Sequence, residues 1–208
     1  MHKDKSSGVT MLLLENMKVF HDQLAAVFKV PTALHGDVCM RVSRSNFRND
    51  LSAVVIVDAG RFLELWRSPG SSHEDVAHMA DDTWPTDCKF AGAADGFSKG
   101  SSNPVPLADI GCHAEFDETM MYKRWLWMLR KPAAVVRAER RVLGFTNGVT
   151  RTIWLLHSGA KQFPVKCSAA DAPLLQQWAG VAGTVYQTVE QLIPDDLARC
   201  REALQHGR

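Results

Sequence analysis

The run from Val142 to Leu156, reading VLGFTNGVTRTIWLL, holds the residues whose types and order best suit chemistry. A strand, a glycine turn and a helix that opens on polar residues bring unpaired helix-start amides and the positive end of a helix dipole to one point, which attracts anions. Asn147 and Gly148 make the turn, Thr150 is placed to cap the helix, and Arg151 offers paired N–H groups to a phosphate or carboxylate. Neither Thr150 nor Arg151 is a general base near neutral pH, so the run reads as an anion-holding site without a catalytic proton acceptor.

Three other patterns lose their chemistry on inspection. Gly92 to Ser101 has the composition of a phosphate loop, but Lys99 precedes Gly100, whereas such a loop places its lysine after the last glycine, at the helix start. A flexible surface loop is expected there. His73 and His78 stand five residues apart, which points them to different helix faces and not to one metal ion. Gly111-Cys112-His113 sets a thiol next to an imidazole in sequence, yet adjacency does not supply the geometry that a nucleophile and its base need, and Cys112 reads as structural. No catalytic residue, cofactor or metal site is assigned.

The elements that must position these residues follow from periodicity and turn signals. The chain has 208 residues, 46% hydrophobic and 23% charged, which is ordinary for a globular protein with a substantial core. Leu13, Met17, Phe20, Leu24, Val27 and Phe28 predict an amphipathic helix over 11–29, closed by Pro31. Strands are expected over 37–42 and 53–57, either paired as a hairpin or neighbouring. The Ser-, Gly-, Asp- and Pro-rich stretch 68–102 reads as a long surface loop with one short helix near 73–79. Beyond it come a strand over 105–110, a helix capped by Asp117 with Met121, Trp125, Met128 and Leu129 on one face, and a strand over 142–145. A helix over 150–157, a strand over 163–167, a helix from Asp171 to Gly180 and a last helix from Asp195, with Leu197, Cys200 and Leu204 inward, complete the pattern. The span 184–192 suits strand or helix. The whole is a mixed α/β (α+β) chain, divided into 1–100 (helix, strands and long loop) and 101–208, or built as one compact unit.

Charge and cysteine content bound the function. A formal net charge of +1 gives no field strong enough to hold nucleic acid nonspecifically. Five scattered cysteines without a C-x-x-C pair indicate neither a disulfide framework nor a zinc ribbon, and no apolar run is long enough to span a membrane or act as a signal peptide, so a cytoplasmic protein is expected. Locally the chain is less neutral. Lys123, Arg124, Arg130, Lys131, Arg137, Arg140 and Arg141 interleave with Tyr122, Trp125 and Trp127, as a basic aromatic face for single-stranded nucleic acid, a phosphate or an acidic protein surface, or as an ordinary helix with tryptophans in the core. Candidates for partner contact are Tyr122, Arg124 and Trp127 on this element, with Asp81, Asp82 and Trp84 in the long loop.

The order strand, Gly turn, helix and Pro-entered strand (Gly159-Ala160, then Phe163-Pro164-Val165) resembles the ParB/sulfiredoxin superfamily, with Val105 to Ile110 similar to its upstream strand. Within it, Phe145-Thr146-Asn147-Gly148, Thr152-Ile153-Trp154-Leu155-Leu156 and Gly159-Ala160 are similar to the signature of plasmid fertility inhibition factors of the Osa and FipA type. Asn103-Pro104-Val105-Pro106-Leu107-Ala108 is similar to their upstream motif. The resemblance covers roughly the second half and implies a ParB/sulfiredoxin-like C-terminal part behind an N-terminal α/β extension. It also implies an inhibitor of conjugation aimed at the type IV coupling protein, the ATPase that delivers DNA to the secretion channel. Where the superfamily turn reads Arg-His-Arg this chain has Val149, Thr150 and Arg151, so the histidine of the phosphate site is missing and the site is degenerate. The reading is a protein-binding inhibitor that is not an enzyme and needs no cofactor. The alternative is a nucleotide-dependent nuclease or ATPase, with Asn147, Gly148 and Arg151 on phosphates and Asp109 or Glu115 supporting a metal.

Overall fold

The computed structural model describes residues 13–20, 23–44, 51–126 and 129–193, and side chains throughout these except in 123–133. Two sheets share one hydrophobic core. The first contains β1 (Leu14–Phe20), β2 (Gln23–Thr32), β3 (Gly36–Ser43) and the short β5 (Val105–Pro106), in the order β1-β2-β3-β5. The second contains β4 (Ser52–Asp58), β6 (Ala108–Leu126), β7 (Leu129–Asn147), β8 (Gln162–Ser168) and β9 (Gln187–Thr188), in the order β7-β6-β8-β4-β9. Six helices flank them: α1 (Ala59–Trp66), α2 (Glu74–His78), α3 (Phe90–Ser98), α4 (Val149–His157), α5 (Ala172–Ala179) and α6 (Val189–Leu192). Among the described residues no helix is long and apolar enough to cross a membrane.

Where a helix is expected over 11–29, the described residues 14–20 and 23–29 belong instead to the antiparallel pair β1 and β2. Ala25 to Phe28 are all buried, so β2 is apolar on both faces and satisfies a helical period as readily as a strand period; Val27, Val30 and the pairing partner β3 decide for strand. Strands β3 and β4, expected as neighbours, lie in different sheets. The long loop is more ordered than its composition suggests, because α2, a 3₁₀ turn over Trp84–Thr86, and α3 occupy it. In α3, Phe97 stacks on Trp154 at 4.2 Å, so tertiary contact overrides three weak helix formers, Gly92, Asp95 and Gly96. Gly92 to Ser98 are therefore helix and not flexible loop.

The largest correction concerns 117–129. Its described residues, 117–126 and 129, are no helix but part of a hairpin of two 19-residue strands, β6 and β7, while Met128 of the expected stripe lies outside the described residues. Cross-strand pairs replace the helical stripe: the Arg137 guanidinium lies 4.1 Å over the Phe116 ring, and Arg140 is ion-paired to Glu115 and, at 3.6 Å, to Asp117. Pro132 is tolerated because β7 is the sheet edge and the register slips where Tyr122 faces Pro132. The division at residue 100 does not separate the sheets, since β4 sits between β8 and β9, and β5 pairs with β3. Span 184–192 resolves into β9 and α6, with Thr188 and Gln191 forming a capping box. The last helix expected, from Asp195 onward, lies outside the described residues.

Two buried thiols give a test of this core. Burial, reinforced by Asp171, pushes the Cys112 thiol up to about 12, and burial with its neighbour Cys112 does the same for Cys167. Cys88 is exposed. Alkylation of the native protein at pH 8, read by peptide mass spectrometry, is expected to modify Cys88 and spare Cys112 and Cys167; equal rates at all three would contradict this packing. In the unfolded chain these thiols ionise near pH ~8.5, so the unfolded state loses its protons first as pH rises. Their contribution to stability is intact below about pH 8.5 and declines from there toward about pH 12.

Candidate functional site

The strand, turn and helix expected around Asn147 are present. Strand β7 ends at Asn147, Gly148 adopts φ +103°, and α4 begins at Val149. A Cβ at Gly148 would lie 2.7 Å from both Cα and Cβ of Ala108, so glycine is required by conformation and by the close passage of β6. Thr150 does not cap the helix: Gly148 is the N-cap and no side chain satisfies the first amides. The hydroxyl that does bond backbone here is that of Thr152, which donates to the Gly148 carbonyl at 3.0 Å.

An open groove of about 370 Å³ lies at this turn, between the two sheets. Asn147 and Arg151 line it, together with Arg41 of β3 and Asp109 and Lys166, which are register partners on the parallel strands β6 and β8. Arg151 Nη1 donates to the Pro106 carbonyl at 2.7 Å and to the Leu107 carbonyl at 2.8 Å, while Nη2 reaches Asn147 Oδ1 at 3.5 Å. Burial lowers the pKa of this guanidinium, and the charge of Asp109 opposes the shift. Lys166 Nζ is 2.8 Å from Asp109 Oδ2, and Arg41 Nε donates to the Pro104 carbonyl at 3.1 Å. Each groove cation therefore holds part of the protein itself, and Arg151 clips the link between β5 and β6 onto α4.

Arg151→Ala is expected to lower stability by about 1–3 kcal/mol, because it leaves the Pro106 and Leu107 carbonyls without a charged donor. Urea unfolding measures this. A change below about 0.5 kcal/mol would mean that water replaces the guanidinium without loss.

The remaining candidates divide between elements. Asp81 and Asp82 are exposed, and the Asp81 carbonyl accepts a hydrogen bond from His157 Nδ1 at 2.9 Å. Trp84 is no surface anchor: its side chain is buried, with Nε1 donating to the Val76 carbonyl at 2.9 Å, because an indole this large stabilises more as core once its N–H is paired. Tyr122 is exposed on β6; Arg124 is a β6 residue facing Arg130 across the hairpin, and Trp127 lies outside the described residues. Asp109 and Glu115 are not brought together, since Asp109 faces Lys166 and Glu115 is bonded to His113 and Arg140. The His113 and Arg140 contacts hold the Glu115 carboxyl below its usual range. Sequence reading overlooked Arg41 and Lys166. The available signal was a single cation between buried neighbours, Met40 and Val42 in one strand and Val165 and Cys167 in the other.

Fold and groove together define a mixed α/β protein of two sheets with a cation-lined cleft at a strand–turn–helix junction and a long two-stranded hairpin. The family model for plasmid fertility inhibition factors matches residues 54–180, and the chain belongs to that family. The osa protein of Shigella flexneri is 28% identical over 160 residues, covering 76% of this chain and 71% of that one. The crystal structure of an oncogenic suppression activity protein, described as a plasmid fertility inhibition factor and solved as a gold(I) cyanide derivative, is similar with a TM-score of 0.58 at 26% identity. That likeness covers 95% of this chain and 87% of the other.

Proposed function

We propose that this fertility inhibition factor blocks conjugative transfer of a co-resident plasmid by binding that plasmid's type IV coupling protein on the cytoplasmic side of the donor cell, occupying a surface without turnover. The observation that carries the reading is the internal commitment of the groove cations. Arg151 is spent on two backbone carbonyls, Lys166 on Asp109 and Arg41 on Pro104, and Thr150 stands where acid/base chemistry would need a histidine. A groove in this state supports a scaffold role more than phosphate chemistry.

Co-elution and calorimetry of the full chain with a coupling ATPase test the proposal, with wild type compared with an Asn147→Ala, Arg151→Ala variant whose folding has been checked. Equal binding by both is expected. Failure of the wild type to bind would remove the docking reading for that target.

One observation favours a nucleotide-dependent nuclease or ATPase as the second reading: α4 starts without a side-chain cap, beside a groove lined by Arg41 and Lys166. Cleavage of DNA in the presence of magnesium and nucleotide, abolished by Arg151→Ala in folded protein, would bring that reading to the front.

A further inference from the structure

The hairpin of β6 and β7 is longer than the sheet that anchors it. Strand β6 pairs with β8 only at Ala108 and Asp109, β7 is the terminal strand, and Asp171 and Ser71 with Ser72 bond the outer edges at Cys112 and at Leu143 and Phe145, so beyond Cys112 and Leu143 the hairpin is a two-stranded ribbon with backbone groups along both edges. Six of the ten large apolar side chains exposed among the described residues belong to it: Phe116, Met120, Met121, Tyr122, Val135 and Val136, each about half exposed. Met120 faces Val135 on one side of the ribbon, while Met121 faces Ala134 and Thr119 faces Val136 on the other. Apolar surface of this density on an outlying element marks an interaction site.

Charge is segregated along the same ribbon. The four acids of the hairpin beyond Asp109, namely Glu115, Asp117, Glu118 and Glu139, are ion-paired within it, to Arg140, Arg137 and Arg141. Residues 119–136 contain Lys123, Arg124, Arg130 and Lys131 and no aspartate or glutamate. The outer half is therefore cationic and apolar, and the complementary surface is acidic with an apolar cleft. A lipid surface offers the negative charge but cannot pair the open ribbon edges, which are not stable in hydrocarbon. A protein can, by adding a strand to an edge.

We propose that the outer strands of this hairpin, 119–126 of β6 and 129–136 of β7, are the surface that docks on the coupling ATPase, seated in an apolar cleft rimmed by carboxylates. The inference rests on the docking function proposed above and adds the surface and the chemistry of its receptor. The test uses the full chain with the coupling ATPase, by calorimetry at low and moderate salt, and compares wild type with Met121→Glu, Val136→Glu and with Lys123→Glu, Lys131→Glu. Circular dichroism and thermal midpoints check folding, and Lys123→Arg, Lys131→Arg serves as the conservative control.

The expected result is at least a tenfold weakening by each acidic double variant, retained binding by the arginine variant, and wild-type affinity that falls several-fold as salt rises. Binding by the acidic variants within about twofold of wild type overturns the hairpin as the docking surface and leaves the docking function standing. Loss of co-sedimentation with phosphatidylglycerol vesicles while ATPase binding is kept overturns it in favour of lipid. If wild type does not bind the ATPase, the docking function fails, and the same variants are read by inhibition of plasmid transfer in donor cells. Retained inhibition then overturns the hairpin, and lost inhibition supports it for another acidic receptor.

Discussion

Replacing Gly148 by alanine is expected to destabilise the protein by about 2–5 kcal/mol, the sum of backbone strain at a positive φ and overpacking against a neighbouring strand. Both terms act at one atom. At φ +103° an L-residue is strained whatever space surrounds it, and the new Cβ would approach Cα and Cβ of Ala108 to 2.7 Å. Ala108 is the first residue of β6 and pairs with Val165 of β8, so the strand cannot retreat without breaking register with the centre of the sheet. Displacement there would also move the Pro106 and Leu107 carbonyls away from Arg151. A fall in the denaturation midpoint at unchanged slope measures the effect, and a loss below about 1 kcal/mol would show that the turn relaxes freely. The same variant should lose transfer inhibition through reduced abundance, even though Gly148 touches no partner in the docking proposal.

The second large effect is expected at Trp154, whose replacement by alanine should cost about 3–5 kcal/mol. The ring is buried on α4 and stacks on Phe97 of α3 at 4.2 Å and on His35 of the turn between β2 and β3 at 5.0 Å. Two backbone bonds strengthen the same junction, with Ala33 N–H and Leu34 N–H both donating to the Ser158 carbonyl at 2.9 and 3.1 Å. Trp154 thus ties the first sheet to the helix that carries Arg151. A double-mutant cycle of Trp154→Ala with Phe97→Ala is expected to give a coupling of about 0.5–1.5 kcal/mol, as stacked aromatic pairs do. Strict additivity would mean that the two rings only fill space independently.

Much of the second half was legible because its signals are local. Gly148 and Gly159 both take positive φ, as turn glycines should, and Pro173 and Gly180 bracket α5 as first-turn proline and stop, whereas Asp171 stands at the N-cap position without a capping bond and its carboxylate accepts from the Cys112 N–H. The run Ala53–Val57 read as strand because it is buried on both faces at the centre of the sheet. The errors share one cause. Segments 11–29 and 117–129 carry apolar residues at spacings that satisfy a helix, but their state is decided by strands that pair with them: β3 and β1 flank β2, and β7 lies against β6. The same cause misplaced Trp84, whose sequence neighbours are polar and whose actual neighbours are core.

The candidate site divides along the same line. Asn147, Gly148 and Arg151 were visible because a turn and a helix start are written in consecutive residues. Arg41, Asp109 and Lys166 arrive from three other strands, and only their convergence reveals that the cations of the groove are already engaged by backbone and carboxylate. By itself the sequence determined the mixed α/β class, the strand–turn–helix junction and the likeness to fertility inhibition factors, since each rests on short-range spacing. Tertiary structure alone decided that the basic aromatic segment is a β hairpin and that Arg151 is a clip, because strand pairing and charge neutralisation depend on residues far away in the chain, and no local pattern encodes them.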